Sequence, residues 1–152
     1  MVTRILAIMA ALLAFVVIAT VAYAANINCP GGYCYGTSGN DDPMNGTSVQ
    51  DLMFGYGGND YLLGYAGNDS LEGGSGNDAL DGGDGPDNVN DNIIGGEGAN
   101  DADKLLGGAG DDIINAVDYD PWDDIDCGSG YDKVWLDNDD SAQNCEEYHF
   151  FK

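Results

Sequence analysis

Residues 55–90 divide into four units of nine with no remainder. Position 4 of each unit is glycine (Gly58, Gly67, Gly76, Gly85) and position 6 is aspartate (Asp60, Asp69, Asp78, Asp87). Position 8 is aliphatic throughout: Leu62, Leu71, Leu80 and Val89. So strict a period leaves few choices. One aliphatic residue in nine cannot bury a core within its own unit, so the units must stack on one another as a solenoid.

Each unit has a simple local physics. Its glycines allow the backbone to turn with positive φ and to approach a neighbouring chain or an ion closely. The aspartate sets a hard oxygen ligand beside the carbonyls of that turn, a donor set suited to Ca²⁺. The three residues after it suffice only for a short strand, with position 8 facing inward and positions 7 and 9 outward. The pattern resembles the RTX (haemolysin-type) calcium-binding nonapeptide GGxGxDxUx. That resemblance implies an all-β parallel β-roll in which two units make one coil. It also implies calcium between the Gly-Asp turns of units n and n+2, stacked along the same edge.

Degenerate units extend the block on both sides. Gly36 opens one with an extra residue and Asp41, and Gly46–Phe54 carries Asp51 and Met53. Downstream, Gly82–Ile94 and Gly95–Leu106 hold insertions, and Gly107–Asn115 returns to nine with Asp112. Ala116–Asp126 offers Asp123, and the unit opened by Cys127 offers Asp132. Ten units predict about five coils. The position-6 acids then fall on two edges: Asp41, Asp60, Asp78, Asp103 and Asp123 on one, Asp51, Asp69, Asp87, Asp112 and Asp132 on the other. Asp91 competes with Asp87, and Asp101 with Asp103. The gaps along both edges would hold up to about eight Ca²⁺ ions. Sites using Asp51, Asp103 or Asp123 are expected to be weaker than the regular central ones. An insertion or a missing glycine displaces their carbonyls. The expected core is Leu62, Leu71, Leu80, Val89, Leu105, Ile114, Ile125 and Val134. Tyr61, Leu63, Tyr65, Leu106 and Ile113 face outward, either as ordinary strand formers or as a contact surface.

The flanks set the context. Met1–Ala24 reads as a signal peptide: Arg4, an apolar run from Ile5 to Val21, and an Ala22-Tyr23-Ala24 cleavage site. Residues 25–35 form an N-terminal disulfide segment, 36–135 the β-roll and 136–152 a disulfide-linked C-terminal cap. The four cysteines, Cys29, Cys34, Cys127 and Cys145, are expected to form disulfides in an exported chain. The local pairing is one of three connectivities. Export would place the protein outside the cell or at its surface, with no stable membrane span after cleavage. Once Arg4 is removed, Lys104, Lys133 and Lys152 face 27 acids, a balance that excludes nucleic acid as a partner. There is no HExxH or G-x-S-x-G motif, so the chain reads as a non-enzymatic calcium-binding structural or interaction module. A self-assembling surface or adhesion filament is the alternative, and an accessory fragment of an RTX-type toxin or hydrolase ranks lower. Partners would be calcium ions, then a second copy of the chain or an extracellular polysaccharide or protein.

Overall fold

A computed structural model describes residues 25–85, 92–95, 102–118 and 122–152. The signal-peptide expectation, Asp87, Val89, Asp91 and Asp101 fall outside them. Among the described residues fourteen short strands follow one another. The first seven are β1 (Ala25–Asn28), β2 (Gly32–Tyr35), β3 (Asp41–Thr47), β4 (Asp51–Gly57), β5 (Tyr61–Tyr65), β6 (Ser70–Ser75) and β7 (Ala79–Asp84). The rest are β8 (Asn92–Ile94), β9 (Lys104–Ala109), β10 (Ile113–Asn115), β11 (Asp124–Ser129), β12 (Lys133–Leu136), β13 (Ser141–Gln143) and β14 (Glu147–Phe150). Odd-numbered strands build one 7-stranded sheet and even-numbered strands the other, each in chain order. All pairings are parallel. The fold is a β-solenoid of about six turns.

Stacking turns the nine-residue period into two columns of side chains. In the first sheet Ile27, Met44, Leu62, Leu80, Leu105, Ile125 and Ala142 are successive register partners. In the second the column is Cys34, Met53, Leu71, Ile93, Ile114, Val134 and Tyr148. From Met44 to Ile125, and from Met53 to Val134, the described members of these columns are almost entirely inaccessible to water. These described side chains of the columns form one buried cluster, so a single aliphatic position per unit suffices for a core.

The register corrects one core assignment. Ile93, not Val89, pairs with Leu71 and Ile114. The coil count also exceeds the expected five, because both flanks contribute strands. β1 and β2 lie in residues 25–35, and β13 and β14 in residues 136–152. Disulfides Cys29–Cys34 and Cys127–Cys145 close the two ends, so the local connectivity is the one adopted. At the C-terminal end Lys133 pairs with Glu147 at 3.3 Å, and Trp135 stacks on His149 at 4.6 Å. Tyr148 and Phe150 extend the second sheet rather than folding over the end of the roll.

On the outer face Tyr61 and Tyr65 are exposed, while Leu63, Leu106 and Ile113 are half-buried. Near the N-terminus of the second sheet, Tyr35 stacks on Phe54 at 5.6 Å and on Tyr56 at 6.4 Å. Tyr35 and Tyr56 nevertheless stay more than half exposed.

Candidate metal centre

Because coils repeat, the position-6 aspartates come to lie one above another, and a hydrogen bond links each to the next. The amide of Asp41 donates to Asp60 Oδ1 at 2.8 Å, Asp60 to Asp78 at 2.8 Å and Asp78 to Asp103 at 2.8 Å. Asp103 continues to Asp123 at 2.9 Å. The opposite edge runs from Asp51 to Asp69 at 2.9 Å and from Asp112 to Asp132 at 2.9 Å. The expected two-edge arrangement is thus present for every described acid, and Asp103 takes the place that Asp101 contested. For the unit with the insertion, Ile93 occupies position 8. By spacing alone the acid two residues earlier is Asp91 rather than Asp87.

Beside the aspartate ladder runs a second one at position 5. Asn40 Oδ1 accepts from the Asn59 amide at 3.0 Å, and Asn59 Oδ1 from the Asn77 amide at 3.3 Å. It points the opposite way along the edge, so each turn is tied to both of its neighbours. The close approach explains the glycine at position 4. Gly58, Gly67 and Gly76 have φ of 105°, 139° and 118°, and a Cβ on Gly76 would collide with the carbonyl oxygen of Gly58. The Gly85 amide donates to the Ala109 carbonyl at 2.7 Å.

The ladder engages only one carboxylate oxygen. Oδ2 of Asp60, Asp123 and Asp132 is buried with no hydrogen-bond donor. A carboxylate oxygen withdrawn from water without a partner is costly. The surroundings of these oxygens indicate what would satisfy them. At position 1 of several units, the space a side chain would fill is bounded by carboxylate and carbonyl oxygen. At Gly55 it is the Asp60 carboxylate and the Gly73 carbonyl, at Gly64 the Asp69 carboxylate and the Gly82 carbonyl, and at Gly107 the Asp112 carboxylate and the Cys127 carbonyl. An all-oxygen cradle of carboxylate and carbonyl fits Ca²⁺.

Two expected ligands differ from the rest. Asp41 Oδ2 accepts from the Thr37 amide at 2.6 Å, and the Thr37 hydroxyl reaches Oδ1 at 3.1 Å. Asp51 Oδ2 accepts from the Thr47 amide at 2.7 Å and hydroxyl at 2.8 Å. Threonine stands at position 2 of these units, where later units hold Tyr56, Tyr65, Gly74, Gly83, Gly108 or Gly128 with φ between 77° and 107°. The threonine turns supply Oδ2 with protein donors, which Oδ2 of Asp60, Asp123 and Asp132 does not have.

Sequence reasoning missed the acids that end each ladder. Asp140 accepts from the Asp123 amide at 3.1 Å, and Glu146 from the Asp132 amide at 2.8 Å. A signal was available. Asp140-Ser141-Ala142 and Glu146-Glu147-Tyr148 keep the acid two residues before the column residue, though the glycines are gone. Asp118 was missed as well. Its carboxylate groups with those of Asp103 and Asp123, with ligand oxygens within 4.8 Å of one another.

Electrostatics follow from burial. Asp60 is pushed up to about 6, chiefly by burial, with the Asp41 charge adding and the Asp41 amide opposing. Asp123 is pushed up to about 8 by burial first; the Asp103 amide opposes this, and the Asp103, Asp118 and Asp140 carboxylates add to it. Asp132 and Asp140 are also raised, mainly by burial. A folded-state value above the unfolded one means that the metal-free fold binds protons more tightly than the unfolded chain. Its stability is therefore greatest at low pH and is lost as pH rises through the folded values. Metal-free protein should gain β structure as pH falls from about 8 towards 4, by circular dichroism in chelator. With calcium bound the trend should reverse, since protons compete for the ligands. A metal-free fold that weakens on acidification over that range would contradict this account.

Residues 54–89 and 90–116 match the family model of the RTX calcium-binding nonapeptide repeat, in 4 copies. No curated protein and no solved structure matches the chain. Among the described residues no helix is long and apolar enough to cross a membrane.

Proposed function

From a chain that carries RTX calcium-binding nonapeptide repeats folded as a calcium-binding β-roll, we propose an exported protein that calcium assembles outside the cell. There it acts as a structural or interaction module. The observation that carries this reading is the buried Oδ2 of Asp60, which has no hydrogen-bond donor. It shares the oxygen-lined space at Gly55 with the Gly73 carbonyl, an arrangement of carboxylate and carbonyl repeated at Gly64 and Gly107. When bound, calcium supplies the positive charge and the coordination that these oxygens lack. Asp60, Asp69, Asp78, Asp103, Asp112, Asp123 and Asp132 are its principal side-chain ligands. Asp41 and Asp51, already held by Thr37 and Thr47, need no ion. Export is supported by the Ala22-Tyr23-Ala24 site and by the two disulfides, which persist in oxidising compartments. The residues at the edges hold ions and set backbone; none is assigned a reaction.

Metal analysis tests the reading. Protein purified in calcium and passed through a desalting column should retain at least four tightly bound Ca²⁺ per folded chain, one for each gap between described acids outside the threonine turns. Magnesium at the same concentration should leave that number unchanged, because Mg²⁺ demands octahedral geometry and gives up water reluctantly. Folded protein that carries no calcium would overturn the reading.

A further inference from the structure

Ala116–Asp126 is the one stretch of the repeat region with no glycine, so it cannot form the Gly-Gly turn that presents carbonyls to an ion elsewhere. It brings a different donor. We propose that Asp103, Asp118 and Asp123 form a calcium site of a second kind, in which a third carboxylate from the inserted loop replaces the missing turn carbonyls.

Three observations converge. First, oxygens of the three side chains lie within 4.8 Å of one another, although Asp118 is at neither a position-6 nor a ladder site. Second, Asp123 is 1% exposed and its Oδ2 has no donor, while its Oδ1 is taken by the Asp103 amide at 2.9 Å. The free oxygen belongs to the same carboxylate that completes the cluster. Third, the loop is anchored on both sides of Asp118. Ala116 is buried in the core, and its amide donates to the Trp135 carbonyl at 2.8 Å. On the other side, the Asp123 amide donates to Asp140 at 3.1 Å.

Chemistry selects the cation. The cluster has neither imidazole nor thiolate, so zinc and copper lack their preferred donors. Three carboxylates make a hard, anionic site, and a set with no symmetric arrangement suits the irregular coordination of Ca²⁺ better than the octahedron of Mg²⁺. Affinity in oxygen sites rises with ligand charge. The site at Asp123, expected from the missing glycines to be weak, becomes one of the tighter ones.

The inference rests on the calcium-bound β-roll reading for Asp103 and Asp123 but adds Asp118, so the test separates the two. Terbium(III), an oxygen-seeking cation of calcium-like size, emits when a nearby indole is excited. Trp122 adjoins Asp123 and is exposed, whereas Trp135 lies on the other sheet against His149. Folded full-length mature protein titrated with Tb³⁺ should show indole-sensitised emission that Trp122→Phe reduces, the remainder coming from Trp135 near Asp132. Asp118→Asn should weaken that binding about tenfold. Asp124→Asn, an exposed neighbour losing the same charge, should change it less than about twofold. Circular dichroism in calcium checks that each variant folds. Emission that Trp122→Phe leaves unchanged would overturn the three-carboxylate site. An Asp118→Asn affinity equal to that of Asp124→Asn would do the same. If wild-type protein bound neither calcium nor terbium, the β-roll reading would fail with it.

Discussion

Mature protein placed in a calcium chelator at neutral pH is expected to lose most of its β signal and to regain it in millimolar calcium. The size of the effect follows from linkage. A site with calcium at ten times its dissociation constant contributes about 1.4 kcal/mol. The four gaps bounded by Asp60 and Asp78, Asp78 and Asp103, Asp103 and Asp123, and Asp112 and Asp132 together contribute about 6 kcal/mol. That is about the whole stability of a small domain. Opposing it are carboxylates stacked a strand apart in a chain of formal net charge −23, which repel one another in the compact state. Nor can the core compensate, since most half-coils bury a single large aliphatic side chain. The N-terminal end should resist longest, because Thr37 and Thr47 satisfy Asp41 and Asp51 and Cys29–Cys34 ties the first coil. Far-UV circular dichroism with and without chelator measures the whole effect. Hydrogen exchange locates the residual protection. Unchanged spectra and unfolding midpoints in chelator would show that calcium does not hold this fold together.

The second large effect is expected from Asp78→Ala. Asp78 sits mid-edge: its Oδ1 accepts from the Asp60 amide at 2.8 Å, and its own amide donates to Asp103 Oδ1 at 2.8 Å. Truncation removes a carboxylate from two adjacent gaps and leaves the buried Asp60 amide without its acceptor. The calcium concentration for half-folding should rise about tenfold, and the lost acceptor should add about 1–3 kcal/mol of destabilisation even in excess calcium. Asp41→Ala is the informative contrast. Its carboxylate is held by the Thr37 amide and hydroxyl, so the calcium midpoint should stay within about twofold while stability falls by about 1–2 kcal/mol. If the midpoints of the two variants shifted equally, the division between calcium turns and threonine turns would be wrong.

Much of this architecture is legible in one dimension, for a local reason. In a strand, alternation decides which face a side chain takes. The Asp-x-aliphatic triplets of Asp60-Tyr61-Leu62, Asp69-Ser70-Leu71 and Asp78-Ala79-Leu80 therefore specify both the edge and the core of each unit. An unbroken period of nine specifies that like positions stack. From those two facts come the parallel solenoid, the two ladders and the oxygen-lined turns.

What only the tertiary structure decided lies where the period breaks or the glycines disappear. An insertion leaves two possible registers, and only hydrogen bonding to the coils above and below chooses between them. That choice set Ile93 rather than Val89 against Leu71 and Ile114. Asp140 and Glu146 serve as ladder acids without any glycine turn, because a strand already in place offers each a free amide from Asp123 or Asp132. Thr37 and Thr47 look like ordinary substitutions in the repeat, and only their turn geometry brings amide and hydroxyl onto the carboxylates of Asp41 and Asp51. Asp118 has no place in the repeat at all. The tertiary structure brings its carboxylate to those of Asp103 and Asp123, a grouping across coils that no nine-residue window contains.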